Sequence, residues 1–184
     1  MTGIPWMESN GFIAVLDTCV LAPMPVADTL LRLAEEPAFY LPRWSDDILS
    51  ELRRTLGGPF RFEPAQVERR VERMSSAFPE AMVTGYGLLI EHLKCDPKDR
   101  HVLACAIRAG AHAIISDNKR HFPEEALEPF GIDCLTAGEF LLQQYHLNED
   151  RMISILRSQA AKVNRSVSEL LLRLPRELRT VIRI

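Results

Sequence analysis

Apolar positions along this chain follow two rhythms. Short unbroken runs read as buried strands: Phe12 to Leu16 (FIAVL) between Gly11 and Asp17, then Ala113 to Ser116, then Ile132 to Leu135. Phe39 to Leu41 reads as a further short strand. Between these runs the spacing turns helical. Val26 to Glu36 carries Leu30, Leu31 and Leu33 and is closed by Pro37. Asp46 to Leu56 follows Ser45, a good N-cap, and has Asp46 and Asp47 in its first turn, where the helix dipole favours negative charge. Gly57 and Gly58 stop it. A helix from Pro64 puts Val67, Val71, Met74 and Phe78 on one face and ends at Pro79. Asp96-Pro97-Lys98-Asp99 opens a helix to Ala109, with Asp96 as cap and Gly110 as stop. Thr136 to Glu139 has the capping-box pattern and starts a helix through Tyr145. Beyond it the pattern is helical only: Glu149 to Val163, then a second capping box at Ser166 to Glu169 leading into Leu170, Leu171 and Leu174.

Alternating strands and helices predict an α/β fold around a parallel sheet. The 184 residues suit one domain with an appendage. The expected division is a body over 1–145 and a helical arm over 146–184.

Composition narrows the class without naming it. Hydrophobic residues make up 47% and charged residues 26%, ordinary for a globular protein. No apolar run nears the ~20 residues of a membrane span. Met1 to Asn10 lacks a basic start followed by an apolar stretch, so no secretory signal is expected and a cytoplasmic location is. Cys19, Cys95, Cys105 and Cys134 form no Cys-x-x-Cys pair, which disfavours a zinc site and predicts reduced, space-filling thiols. The net charge of −3 is unevenly spread: residues 148–184 hold eight Lys or Arg against four Asp or Glu, and the remainder fourteen against twenty-one.

Four acids stand at telling places. In an open parallel sheet, ligands bind beyond the carboxyl ends of the strands. Asp17 and Asp117 each directly follow a strand and so point to one edge. Glu51 shares a helix face with Asp47, four residues earlier; like charges at that spacing destabilise unless offset, and a bound cation would offset them. Asp99 sits in a first helical turn, where a carboxylate is welcome. Singly, Asp17 and Asp117 read as well as turn residues and Asp99 as part of a cap, and Glu51 reads more readily as a solvated helix residue; the weight lies in the set. Oxygen donors without Cys or His clusters favour the hard cations Mg²⁺ or Mn²⁺. Arg53, Arg54 and Arg61, with Lys119 and Arg120 after the last acid, are candidate phosphate contacts. His101 and His121 read as structural. Trp6 and Trp44 read as packing residues that have the shape to stack on bases.

The order of the acids carries a family resemblance. VLDTCVL (15–21) resembles the opening of PIN domains, PRWSDDILSELRRTL (42–56) their acidic helix, and DPKDRHVLACAIRAGAHAIISDNKRHFP (96–123) their third acid, following helix and strand, and fourth polar position. The resemblance spans about residues 12 to 142 and is nearest to the VapC-like branch of prokaryotic toxins. It implies a three-layer fold with a central parallel sheet flanked by helices, plus a C-terminal helical extension. It also implies a metal-dependent endoribonuclease that cleaves RNA phosphodiester bonds with metal-activated water. Asp17, Glu51, Asp99 and Asp117 would be its metal-binding and catalytic acids. Family members carry Asp or Asn at the fourth position, and here Asp117 and Asn118 are adjacent. Thr18, Ser116 and Asn118 would support the acids, with Arg53, Arg54, Lys119 and Arg120 on the RNA. The implied partners are an RNA substrate, an antitoxin protein that holds the toxin inactive, and a second copy in a homodimer. The alternative is a silent PIN-like module that binds RNA or protein without cutting. A haloacid-dehalogenase phosphatase would need a second Asp where Cys19 stands.

Overall fold

A computed structural model describes residues 11–182, so Trp6 lies outside the described residues. Five strands, β1 (Ile13–Leu16), β2 (Leu41–Ser45), β3 (Met82–Val83), β4 (Ala113–Ile115) and β5 (Asp133–Leu135), form one parallel sheet in the order β3-β2-β1-β4-β5. β1 and β4 are central. Val15 and Leu16 pair with Ile114 and Ile115, and all four are inaccessible to solvent. Strand order reverses between β1 and β4, which opens a crevice at their carboxyl ends.

Two strands depart from the expected pattern. β2 begins at Leu41, where the apolar run Phe39 to Leu41 was expected to end, and continues through Pro42, Arg43, Trp44 and Ser45. Proline is tolerated because β3 pairs only with Trp44 and Ser45; at Pro42, β2 is still an edge. β3 has two residues, too few for a pattern to announce it.

Helices α1 (Thr18–Leu21), α2 (Met24–Ala34), α3 (Asp46–Gly57), α4 (Pro64–Ala77), α5 (Arg100–Ala109), α6 (Glu124–Leu127) and α7 (Ala137–Leu147) surround the sheet. α2 starts and ends two residues earlier than the spacing suggested, since Pro25 fits its first turn. Ser45 caps α3 as expected: its hydroxyl accepts the Ile48 N–H at 3.3 Å. The Thr136 capping box of α7 is also present. α5 starts one turn later than expected. Asp99 N–H donates to the Asp96 carbonyl at 2.9 Å, closing a turn before the helix, and the Asp96 carboxylate accepts from Lys98 N–H instead of capping. Asp99 thus stands at the N-cap position with a carboxylate that caps nothing.

From residue 148 the chain forms α8 (Glu149–Lys162), α9 (Val167–Leu171) and α10 (Arg176–Val181). Met152, Leu156, Ala160, Leu170, Leu171, Leu174 and Leu178 are buried in one apolar cluster with the sheet and α2. Thr29 Oγ1 donates to Gln159 Oε1 at 2.8 Å, and Gln159 Nε2 donates to the Pro25 carbonyl at 2.9 Å, so α8 meets α2 through a satisfied polar bridge as well. No helix among the described residues is long and apolar enough to cross a membrane.

Candidate active site

Asp17 leaves β1 at the centre of the crevice, and its own N–H continues the ladder by donating to the Ile115 carbonyl at 3.1 Å. The residue is 3% exposed. Three donors hold its carboxylate: Thr18 N–H on Oδ1 at 2.7 Å, and the Ser116 hydroxyl at 2.6 Å and the Cys19 thiol at 3.2 Å on Oδ2. Together these donors occupy both carboxylate oxygens and fix the orientation of the buried side chain.

Thr18 joins Asp17 to the next acid. Its Oγ1 lies 3.2 Å from the Ile48 carbonyl and 3.3 Å from Glu51 Oε2, so one proton serves either acceptor. Glu51 projects from α3, capped by Ser45, with its side chain 39% exposed. His101 on α5 brings Nε2 to 3.6 Å from Glu51 Oε2, an ion-pair distance too long for a good hydrogen bond. That approach pulls the Glu51 carboxyl below its ordinary proton affinity, outweighing partial burial. Asp47 is not left facing Glu51 uncompensated: the Tyr86 hydroxyl donates to its Oδ2 at 2.7 Å.

Asp99 is buried beside this pair. Burial raises the proton affinity of its carboxyl, and the charge of Asp17 raises it further. His121 opposes them with Nδ1 at 3.0 Å from Asp99 Oδ2.

The fourth candidate is used differently. Asp117 is exposed, and its Oδ1 accepts the Ala137 N–H at 3.0 Å, at the first residue of α7. Its backbone N–H donates to Cys19 Sγ at 3.3 Å, and the N–H of Asn118 donates to Ser116 Oγ at 3.1 Å. The loop after β4 is therefore pinned beside Asp17, while the Asp117 carboxylate is engaged at a helix N-terminus.

The basic candidates also divide. Arg53 pairs with Glu68 at 3.2 Å, and Lys119 pairs with Glu139 at 2.9 Å. Arg120 Nε donates to His121 Nε2 at 3.2 Å. Arg54 is exposed, and its side chain makes no hydrogen bond or ion pair among the described residues. Trp44 is inaccessible to solvent and packs edge-on against Phe78, so it is a core residue and has no face for a base.

The spacing of residues did not point to three neighbours of the acids. Cys19, by its spacing a space-filler, touches Asp17, Ser116 and Asp117; its thiol is pushed up to about 12, by burial first and then by Asp17. Asp96 has the place of a cap and His121 that of a structural residue, yet Asp96, Asp99 and His121 bring one ligand-type atom each within 4.8 Å of one another. The Asp-x-x-Asp spacing over 96–99 was the available signal.

These donors fit a hard divalent cation. They are carboxylate oxygens at one crevice, and the buried pair Asp17 and Asp99 disfavours its own double ionisation, a cost that a cation removes. The raised Asp99 pKa also has a consequence for stability. A carboxyl that binds its proton more tightly when folded contributes stability below its unfolded pKa, and that contribution is lost as pH rises through the folded value. At pH 7, ionised Asp99 burdens the metal-free fold. Asp99→Asn in EDTA at pH 7 is expected to melt above the parent by a few degrees, where ~1 kcal/mol corresponds to about 2–4 °C for a chain this size. The gap should shrink as the pH falls through the range in which the parent carboxyl takes up its proton. Calorimetry showing an equal or lower midpoint for the variant at pH 7 would count against a repulsive pair.

The PIN domain family profile matches residues 14–120. A protein of Mycobacterium tuberculosis (strain ATCC 25618 / H37Rv) described as "Putative ribonuclease VapC50" is 38% identical over 86 residues, covering 45% of this chain and 51% of that protein. The chain thus spans about half the length of the curated relative it matches.

Proposed function

This chain belongs to the PIN domain family, and from that premise we propose that it is a metal-dependent endoribonuclease, the toxin of a toxin–antitoxin pair acting in the cytoplasm. The observation that carries the reading is the pair of buried acids, Asp17 and Asp99, held at the switch point of the sheet with Glu51 tied in through Thr18. Such a set is unfavourable unless a cation occupies it.

Asp17, Glu51 and Asp99 would hold Mg²⁺ or Mn²⁺, with Asp117 or Asn118 as the fourth position. Bound there, the ion would acidify a water and screen the charge that builds on a phosphodiester. The chain's own groups set the geometry. Ser116 and Thr18 N–H fix both oxygens of Asp17, and Cys19 holds the loop of Asp117 against it. Arg54, exposed one turn from Glu51, is placed to meet a phosphate; Arg53, Lys119 and Arg120 would first have to leave their present partners.

RNA is the substrate in this reading, and a small antitoxin the partner. The relative's description as a ribonuclease supports the first, and the resemblance to VapC-like toxins implies the second. A groove of about 510 Å³ between α2 and α4, lined by Leu31, Phe62 and Phe78 together with Arg69 and Arg73, gives a partner protein a surface. A homodimer belongs to the same reading.

The test uses the purified chain, freed of any partner, with structured RNAs in Mg²⁺, Mn²⁺ or EDTA. Cleavage is expected with either metal and should be lost in EDTA. Cleavage that persists in EDTA sinks the metal mechanism. Tight RNA binding without cleavage in every metal favours the silent module.

A further inference from the structure

Among the three acids of the crevice, Asp99 is the least supported. Burial and the Asp17 charge both oppose its carboxylate form. Its backbone closes a turn and its side chain caps no helix. Among the described residues, the hydrogen bond that reaches its carboxylate comes from His121, whose Nδ1 lies 3.0 Å from Oδ2.

The direction of that bond follows from the far side of the ring. Arg120 Nε lies 3.2 Å from His121 Nε2. A guanidinium N–H only donates, so Nε2 must present its lone pair. The hydrogen of the neutral ring then sits on Nδ1, a tautomer assigned from its partners, and the bond runs from His121 to Asp99. The backbone anchors the ring in turn. His121 N–H donates to the Asn118 carbonyl at 2.9 Å, and the His121 carbonyl accepts Asp96 N–H at 3.2 Å, which ties the turn after β4 to the turn before α5.

Asp96, Asp99 and His121 lie close enough for a small ion to bridge them. The Arg120 contact argues for another use. With Nε2 engaged by a donor and hydrogen on Nδ1, His121 has no lone pair to offer a cation.

We propose that His121, oriented by Arg120, is a positioning residue: it donates its Nδ1–H to Oδ2 of Asp99 and holds that carboxylate in the orientation that binds the divalent ion. The proposal rests on the metal-site reading above. Ligating carboxylates are commonly held by such partners, and losing one costs about 10–100-fold in metal affinity.

The donor position gives a sharp test. The side-chain nitrogen of Asn branches from the same carbon as His Nδ1, so His121→Asn keeps a donor where the bond needs it. His121→Gln moves the amide one bond further out, toward the Nε2 position. His121→Ala removes both. Mn²⁺ binding in the absence of RNA, read from the loss of the free-ion electron paramagnetic resonance signal, should weaken about tenfold or more for Ala and Gln and stay near the parent for Asn. Thermal melts of each variant check that it is folded. If Ala does not fold, the comparison of Asn with Gln decides the matter alone. Ala binding as tightly as the parent overturns the proposal, as does Asn binding as weakly as Gln. If the parent takes up no Mn²⁺, the metal-site reading itself fails. Parent binding with unaffected variants would sink only the role of His121.

Discussion

Asp17→Asn should lower RNA cleavage by roughly 10³-fold or more while leaving the chain folded. The substitution keeps the volume of a side chain that is 3% exposed and wedged at the end of β1. What it removes is a full negative charge at the point where Thr18 N–H, Ser116 and Cys19 converge. Those donors are arranged for a carboxylate. An amide would turn its NH₂ toward one of them, lose that acceptor and bind a cation weakly. Folding should survive because the lost charge also repelled Asp99. Single-turnover cleavage of a structured RNA in Mg²⁺, beside circular dichroism of the same sample, measures both quantities. A variant that cuts as fast as the parent would remove Asp17 from the site, and with it the centre of the proposed chemistry.

Leu156→Ala is the second change with a large expected effect, and it bears on the arm. Leu156 is on α8, past residue 145 where the body was expected to end, yet it is inaccessible to solvent and packed in the cluster that includes α2. Truncating a buried leucine costs about 2–5 kcal/mol, part for lost burial and part for the cavity left behind. At about 2–4 °C per kcal/mol the midpoint should fall by roughly 5–15 °C. Denaturant unfolding should show one transition for the whole chain. Two separate transitions, with Leu156→Ala moving only one, would instead describe a separately folding appendage. A loss under ~0.5 kcal/mol would mean that the arm rests loosely on α2.

Much of the fold was legible because local chemistry and tertiary demand agree there. FIAVL has no polar residue to expose and becomes the centre of the sheet. Ser45 and Thr136 cap the helices they precede, since a short oxygen-bearing side chain satisfies free backbone N–H groups wherever a helix starts. β2 was less legible because its tolerance for Pro42 depends on how far β3 reaches, which no local pattern records. The late start of α5 turns on one bond, Asp99 N–H to the Asp96 carbonyl, against the capping bond Asp96 was expected to supply.

The candidate site divides along the same line. From its sequence alone, this protein was bound to place Asp17 and the loop of Asp117 at one edge of a parallel sheet, because both directly follow strands and parallel strands end on the same side. The family motifs added Glu51 and Asp99 in order. Only the tertiary structure decided what each acid meets. It put Asp17 under three donors, tied Glu51 to Thr18, engaged the Asp117 carboxylate at α7, and brought His121 onto Asp99. It also turned Trp44 inward, away from any base. The physical reason is reach. Spacing along a chain fixes which face of an element a residue occupies, whereas a hydrogen bond of 2.6 Å between residues 17 and 116, or of 3.0 Å between 99 and 121, is set by how separate elements pack.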